Sequence, residues 1–267
     1  MKLLNLKNPF NAPVYHEETL SSTFDAARIL AAKNAAHGTV IAADFQEAGR
    51  GRGGRSWAAE RGKSLLFTIL LHYDDIPSIP AALTLKTGLA VSLAVEDLIP
   101  AIAGSVKVKW PNDIIVCPDK TQTAYKAQAA FKAAGILTET DGKTVYIGAG
   151  VNVAQTEFPQ DVRGKAGSLI QAFPALGDDA RFILLEKILT RLHEEIELPR
   201  QAENWRVRLE RRLYKKGEAV TFAPGAADTD CLIEGTLSGI SAAGELLIIP
   251  RGAAAPRAFA SGELRVY

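Results

Sequence analysis

Sulfur is scarce in this chain: of its 267 residues, two are cysteine and one is methionine. Cys117 and Cys231 lie far apart and follow no metal-ligand spacing. That excludes a disulfide framework and a cysteine-built zinc site, and makes reduced thiols the default. A dominant charge is missing too. Lysine and arginine number 31 against 30 for aspartate and glutamate, a net charge of +1, so no global basic face awaits nucleic acid. The opening residues, MKLLNLKNPFNAPV, hold no sustained apolar stretch of the signal-peptide kind, and no apolar run is read as reaching membrane-spanning length. No internal repeat is visible. These absences lead to the expectation of a cytoplasmic protein with no DNA partner and no membrane. With 47% hydrophobic and 23% charged residues, the chain is of ordinary globular composition and can bury one large core and a small satellite.

Glycine and arginine, by contrast, concentrate at Gln46–Trp57, QEAGRGRGGRSW. Gly49, Gly51, Gly53 and Gly54 allow close backbone approach or positive φ. Arg50, Arg52 and Arg55 carry planar donor forks suited to carboxylate and phosphate. The segment lies between two strand-like apolar runs, Thr39–Phe45 and Ser64–Leu71, as an ordered loop does and a disordered tail does not. Two phosphate templates fit it by eye: Gly49-x-Gly51-x-x-Gly54 and Gly49-x4-Gly54-Arg55-Ser56. Both need a helix to start directly after the glycines. Here the glycines run into Trp57, the charged Glu60–Lys63 and a further strand, so neither applies. RNA binding through the arginines would call for nearby stacking aromatics, of which only Trp57 is present.

Three further segments carry chemistry: Lys107–Val116 (KVKWPNDIIV), Lys132–Leu137 (KAAGIL) and Ile147–Val153 (IGAGVNV). Pro111 fixes φ and disfavours helix at Trp110, presenting Asn112 and Asp113 at a tight bend. Such residues serve either the turn itself or a ligand. Lys132 enters a strand beside the small Ala133-Ala134-Gly135, either facing a ligand or snorkelling from an edge. Ser22 and Thr23 stand as caps at the start of an alanine-rich helix. In order and spacing, Ser22-Thr23, the glycine–arginine loop and these three segments resemble the motif set of biotin–protein ligases, over most of residues 20–170.

The resemblance implies activation of biotin by ATP and Mg2+ to biotinyl-adenylate, then transfer to a lysine of a biotin carboxyl carrier protein, a subunit or domain of a biotin-dependent carboxylase. A carboxylate cannot acylate an amine directly, because oxide is a poor leaving group. Adenylation solves this only if cations neutralise two converging anions. By resemblance, Lys132, Arg52 and Arg55 carry the catalysis. Ser22, Thr23, Gln46, Gly49, Arg50, Arg52, Lys132, Gly135, Gly148 and Gly150 hold biotin, the last three glycines letting strand backbone line the slot. Arg52, Arg55, Trp57, Lys109, Asn112, Asp113 and Asn152 hold ATP, Trp57 covering the adenylate, with Asp113 a magnesium contact. The alternative is a lipoate–protein ligase performing the same two steps on another acid. Members are monomers or homodimers joined through a sheet edge.

The expected architecture is mixed α/β (α+β): a mixed sheet flanked by helices in residues 1–215, of the class II synthetase and biotin-ligase type, and a small SH3-like β-barrel in residues 216–267. Helices are read over 22–36, within 80–103, over Arg181–Glu197 and over Ala202–Leu213, with a hairpin turning at Asp141-Gly142. Two departures from the pattern stand out: Phe24 follows Ser-Thr where asparagine is common, and CPDKTQTAYKAQAAF lengthens the stretch between Asp113 and Lys132. The first helix begins about twenty residues in, too early for a preceding winged-helix domain, so a repressor role is not expected.

Overall fold

The computed structural model describes residues 1–117, 129–177, 179–198, 204–225 and 231–265. The main sheet is built from β1 (Lys2–Leu4), β2 (Val14–Glu17), β3 (Val40–Ala43), β4 (Ser64–His72), β5 (Val106–Lys109), β6 (Asp113–Val116), β7 (Phe131–Asp141) and β8 (Thr144–Asn152). They lie in the order β1-β2-β3-β4-β8-β7-β6-β5. Among these strands only β2 and β3 run parallel, and their crossover is the helix α1 (Thr23–Ala31). The other helices are α2 (Leu83–Leu98), α3 (Leu169–Ala172), α4 (Ala180–Ile196) and α5 (Trp205–Glu210).

Strand periodicity divides the sheet into two faces. On β4, Leu65, Phe67, Ile69 and Leu71 enter the large core with α2 and α4, while Leu70 turns to the other face and joins Phe24 of α1, Ile41 and Tyr146. The same alternation on β8 sends Val145, Ile147, Ala149 and Val151 into the large core. It leaves Gly148, Gly150 and Asn152 on the face where α1 and the glycine–arginine loop lie. Fully buried strands of this kind read as unbroken apolar runs, which is why β4 is SLLFTILL.

α2 corrects one expectation. The segment Ile76–Leu98, 23 residues, is long and apolar enough to cross a membrane by length and composition. Regular α-helix occupies only its last sixteen residues, and these pack against α4 and against β5, β6 and β7. Its apolar character is that of a core helix covered on several sides. Other boundaries moved as well. α1 stops at Ala31, followed by Asn34 in the left-handed region; α2 gives way at Pro100 to a 3-10 turn; α5 ends at Glu210, short of the Leu213 read for it, while residues 202 and 203 lie outside the described residues. Most of the long stretch before Lys132, residues 118–128, falls outside the described residues.

A second sheet is formed by β9 (Ala219–Pro224), β10 (Ile233–Ile240), β11 (Leu246–Pro250), β12 (Arg257–Phe259) and β13 (Gly262–Arg265), all antiparallel, in the order β12-β11-β10-β9-β13. This matches the expected small C-terminal β unit. Its buried side chains, among them Phe222, Leu237, Leu246 and Leu264, belong to the same cluster as the main core. Trp110 joins the two sheets: its ring lies 6.0 Å from that of Phe222 and its Nε1 donates to the carbonyl of Gly244 at 3.0 Å. The β5 edge of the main sheet is covered by Arg212–Tyr214, through bonds from Val108 N to Arg212 O and from Tyr214 N to Val108 O.

Candidate functional site

The loop at 46–57 is a closed, hydrogen-bonded structure. Trp57 N donates to Gly49 O, Gly51 N to Arg55 O and Arg55 N to Arg52 O, around a short 3-10 turn at Arg52–Gly54. Gly53 (φ 62°) and Gly54 (φ 74°) take the left-handed region at its tip. No helix follows, as expected from the failure of both phosphate templates. The loop roofs a cavity of about 420 Å³ on the α1 face of the sheet, a size suited to a small organic ligand.

One end of the cavity is polar. Ser22 caps α1, accepting from Phe24 N at 3.2 Å, and the next residue, Thr23, gives both its backbone N–H (2.7 Å) and its hydroxyl (2.9 Å) to Gln46 Oε1. Thr68, buried in β4, donates to the Thr23 hydroxyl at 2.8 Å. Because a backbone N–H can only donate, Gln46 Oε1 is fixed as acceptor, and the group Gln46 retains for a ligand is its Nε2 donor. Ser22 itself does not line the cavity.

The other end is cationic. β5 and β6 are joined across Trp110–Asn112, which contains a cis Trp110–Pro111 bond, with Lys109 and Asp113 as register partners. Asn112 is held by its neighbours: Nδ2 donates to Ile136 O at 2.7 Å and Oδ1 accepts from Arg52 Nη1 at 3.2 Å. Lys132 reaches Asp113 through a bulge. Ile114 and Ile115 of β6 pair with Ala134 and Lys132, so Ala133 is an extra residue and Lys132 is re-aimed onto the face of Gly135. Its Nζ lies 2.6 Å from Asp113 Oδ1, and Lys109 Nζ lies 3.8 Å from Oδ2. Burial pushes the Lys109 ammonium and the Arg52 guanidinium below their ordinary pKa values, with Asp113 opposing the shift in both. Among the described residues, five cations line the cavity (Arg50, Arg52, Arg55, Lys109, Lys132) against three carboxylates (Asp113, Asp161, Glu263), leaving it net positive. An anionic ligand suits such a site.

The glycines also seat two aromatic side chains. Gly135 and Gly150 are cross-strand partners on β7 and β8, and Trp57 lies over both: a Cβ on Gly150 would come within 2.4 Å of its ring and one on Gly135 within 2.8 Å. Gly148 is covered in the same way by Phe24, 2.2 Å from a notional Cβ. The missing side chains make room for two aromatic rings, which form the apolar walls of the slot, and the three glycines line it beside them with their backbone. Gly150→Ala must displace Trp57. The expected result is a shifted tryptophan emission and a stability loss of about 1–3 kcal/mol by overpacking, with far-UV dichroism unchanged.

Of the residues singled out from the sequence, the cavity gathers Thr23, Gln46, Arg50, Arg52, Arg55, Trp57, Lys109, Asn112, Asp113, Lys132, Gly135, Gly148, Gly150 and Asn152. Gly49 does not line the cavity; within the loop a Cβ on it would strike Trp57 O at 2.5 Å. Arg50 is paired with Asp25 of α1, and Arg55 is exposed and paired with Glu263 of β13 at 3.4 Å. Asn152 is buried and donates to Gly167 O, bracing the segment that follows β8. The sequence reading missed that segment (Phe158, Pro159, Asp161, Val162 and Ala166 all line the cavity), as well as Thr68 and Glu263. A lone threonine inside SLLFTILL was the available signal for Thr68; nothing local marked Glu263. Among the described residues no group of three or more His, Cys, Asp or Glu gathers to hold a metal.

Curated relatives include the bifunctional ligase/repressor BirA of Bacillus subtilis, 37% identical over 60% of this chain and 46% of that protein, and the biotin–[acetyl-CoA-carboxylase] ligase of Mycobacterium tuberculosis, 34% identical over 60% and 53%. The chain spans about half the length of the curated relatives it matches. Among solved structures, a mutant biotin protein ligase from Aquifex aeolicus in complex with biotin is similar over 97% of this chain and 100% of that one, with a TM-score of 0.75 and 27% identity. The biotin protein ligase from the same organism in complex with biotin and ATP gives 0.72 and 27% over 94% and 97%. A model of the Biotin/lipoate A/B protein ligase family matches residues 18–152, from the residue after β2 to the last residue of β8, and this chain belongs to that family.

Proposed function

We propose that this chain is an ATP-dependent biotin–protein ligase, with its catalytic unit in residues 1–215 and its C-terminal unit in 216–267. One observation carries the reading: a single slot has a hydrogen-bonding end at Thr23 and Gln46 and a cationic end where Arg52, Lys109 and Lys132 meet at Asn112-Asp113. Biotin is a neutral cyclic urea at one end and a carboxylate at the other. The urea carbonyl takes the Gln46 Nε2 donor, the bicycle lies between Phe24 and Trp57, and the carboxylate reaches Lys132.

In the first step a biotin carboxylate oxygen attacks the α-phosphorus of ATP, forming a P–O bond as pyrophosphate leaves with the electron pair of the broken one. Lys132 and Arg52 neutralise the carboxylate and the α-phosphoryl oxygens where charge concentrates. Magnesium comes as part of the nucleotide substrate, on phosphate oxygens and water, with Asp113 as the protein carboxylate offered to it. In the second step the neutral amine of a carrier lysine attacks the acyl carbon and AMP leaves. Trp57 and the loop limit water, to which a mixed anhydride is vulnerable. The acceptor is a biotin carboxyl carrier domain, and ATP consumption fits a cytoplasmic setting.

The lipoate reading is disfavoured by the named relatives, which are biotin ligases. Pyrophosphate exchange into ATP separates the two: exchange is expected with biotin, and at least about 100-fold less with lipoate. Exchange that follows lipoate, or neither acid, overturns the proposal.

A further inference from the structure

Phe24 comes directly after Thr23, is 4% exposed, and lines the cavity at the end where Thr23 and Gln46 bond. Its ring fills the notch over Gly148, where a Cβ would stand 2.2 Å from Cε2 and 2.6 Å from Cζ. Away from the cavity neither partner has room to yield. The ring is packed in a cluster with Ala27, Ile41, Leu70 and Tyr146, and Gly148 is paired on both sides, to Thr68 of β4 and Leu137 of β7. A ring seated so firmly beside two hydrogen-bonding groups adds no directional bond of its own. What it supplies is a fixed wall.

We propose that Phe24 is a specificity-determining residue that gauges the size of the head group admitted beside Thr23 and Gln46; this rests on the biotin-activating reading. An unmodified fused bicycle fits between this wall and Trp57, whereas the same head with one added group meets the edge of the ring. Because the wall is rigid, refusal falls on binding of the acid and leaves the cationic end untouched.

The test is pyrophosphate exchange by the wild-type chain, Phe24→Leu and Phe24→Ala, with biotin, biotin methylated on either ureido nitrogen, and biotin sulfone. The wild type is expected to use biotin and to discriminate against the enlarged heads by about 10–200-fold in kcat/KM, the range one surplus group produces in a fitted pocket. Both variants should lower that discrimination by about tenfold or more for at least one enlarged acid, chiefly through KM. Phe24→Leu keeps most of the packing, so the test survives if Phe24→Ala does not fold. Gly148→Ala supplies the reciprocal arm: it drives the ring into the slot and raises KM for biotin itself, and adding Phe24→Leu relieves it. A wild type that uses the enlarged acids as well as biotin, or discrimination left unchanged in both Phe24 variants, overturns the gauge while leaving the ligase reading intact. A wild-type chain inert toward biotin overturns both.

Discussion

Lys132→Ala is expected to lower biotin-dependent pyrophosphate exchange by about 10²–10³-fold or more, the cost of removing one preorganised charge from a site of charge development. The fold should survive, because Lys132 is about a third exposed and its partner Asp113 keeps Lys109 on the other carboxylate oxygen. Calorimetry should show biotin bound more weakly and far-UV dichroism should be unchanged. Lys132→Arg should recover little. An ammonium is a compact point charge, and a planar fork beside Trp57, whose ring centre is 5.5 Å from Nζ, cannot occupy the same place. Near-normal exchange by Lys132→Ala would falsify the assignment of this lysine to the adenylation step.

The role of Lys132 was legible in KAAGIL only in part. A lysine at the mouth of a buried strand advertises a partner, and small neighbours advertise close approach. The bulge at Ala133 that re-aims Lys132 is set by pairing with β6, which local composition does not carry. The glycines show the same limit from the other side. Gly135, Gly148 and Gly150 announce that something lies against the strands, and the sequence offers no way to tell a ligand from the rings of Trp57 and Phe24. Long-range pairings such as Arg55 with Glu263, 208 positions apart, are fixed by how the second sheet meets the first, and no local pattern encodes them.

The fold was easier to read where period and punctuation agreed. β4 and the Asp141-Gly142 hairpin follow from apolar runs and a turn pair, and β5 and β6 from the Pro111-Asn112 pinch. α2 was harder. Its apolar surface extends around most of the helix because α4 and the sheet cover it, so neither its true limits nor its membrane-like composition could be resolved from periodicity alone.

Asp113→Ala should cost more stability than any other single change in the site. Lys109 is 4% exposed, and Asp113, ahead of Glu263, is the larger of two carboxylate influences opposing the burial that depresses its ammonium. Removing one partner of a buried pair typically costs about 3–5 kcal/mol, and the low end applies here because the pair is spaced at 3.8 Å and Lys109 keeps other interactions. The pH dependence has a definite sign. A lysine depressed in the folded state binds fewer protons there than in the unfolded chain, so stability rises with pH from the depressed value up to the ordinary 10.5. Without Asp113 the depression deepens and the window widens downward, so the variant should begin to regain stability at a lower pH than the wild type, still below the ordinary 10.5, as read by urea denaturation. Replacing the charge as well, in Asp113→Ala with Lys109→Met, should restore stability but leave exchange lost. If the single variant is as stable as the wild type at neutral pH, Asp113 is not what keeps the Lys109 ammonium charged at the cationic end of the slot.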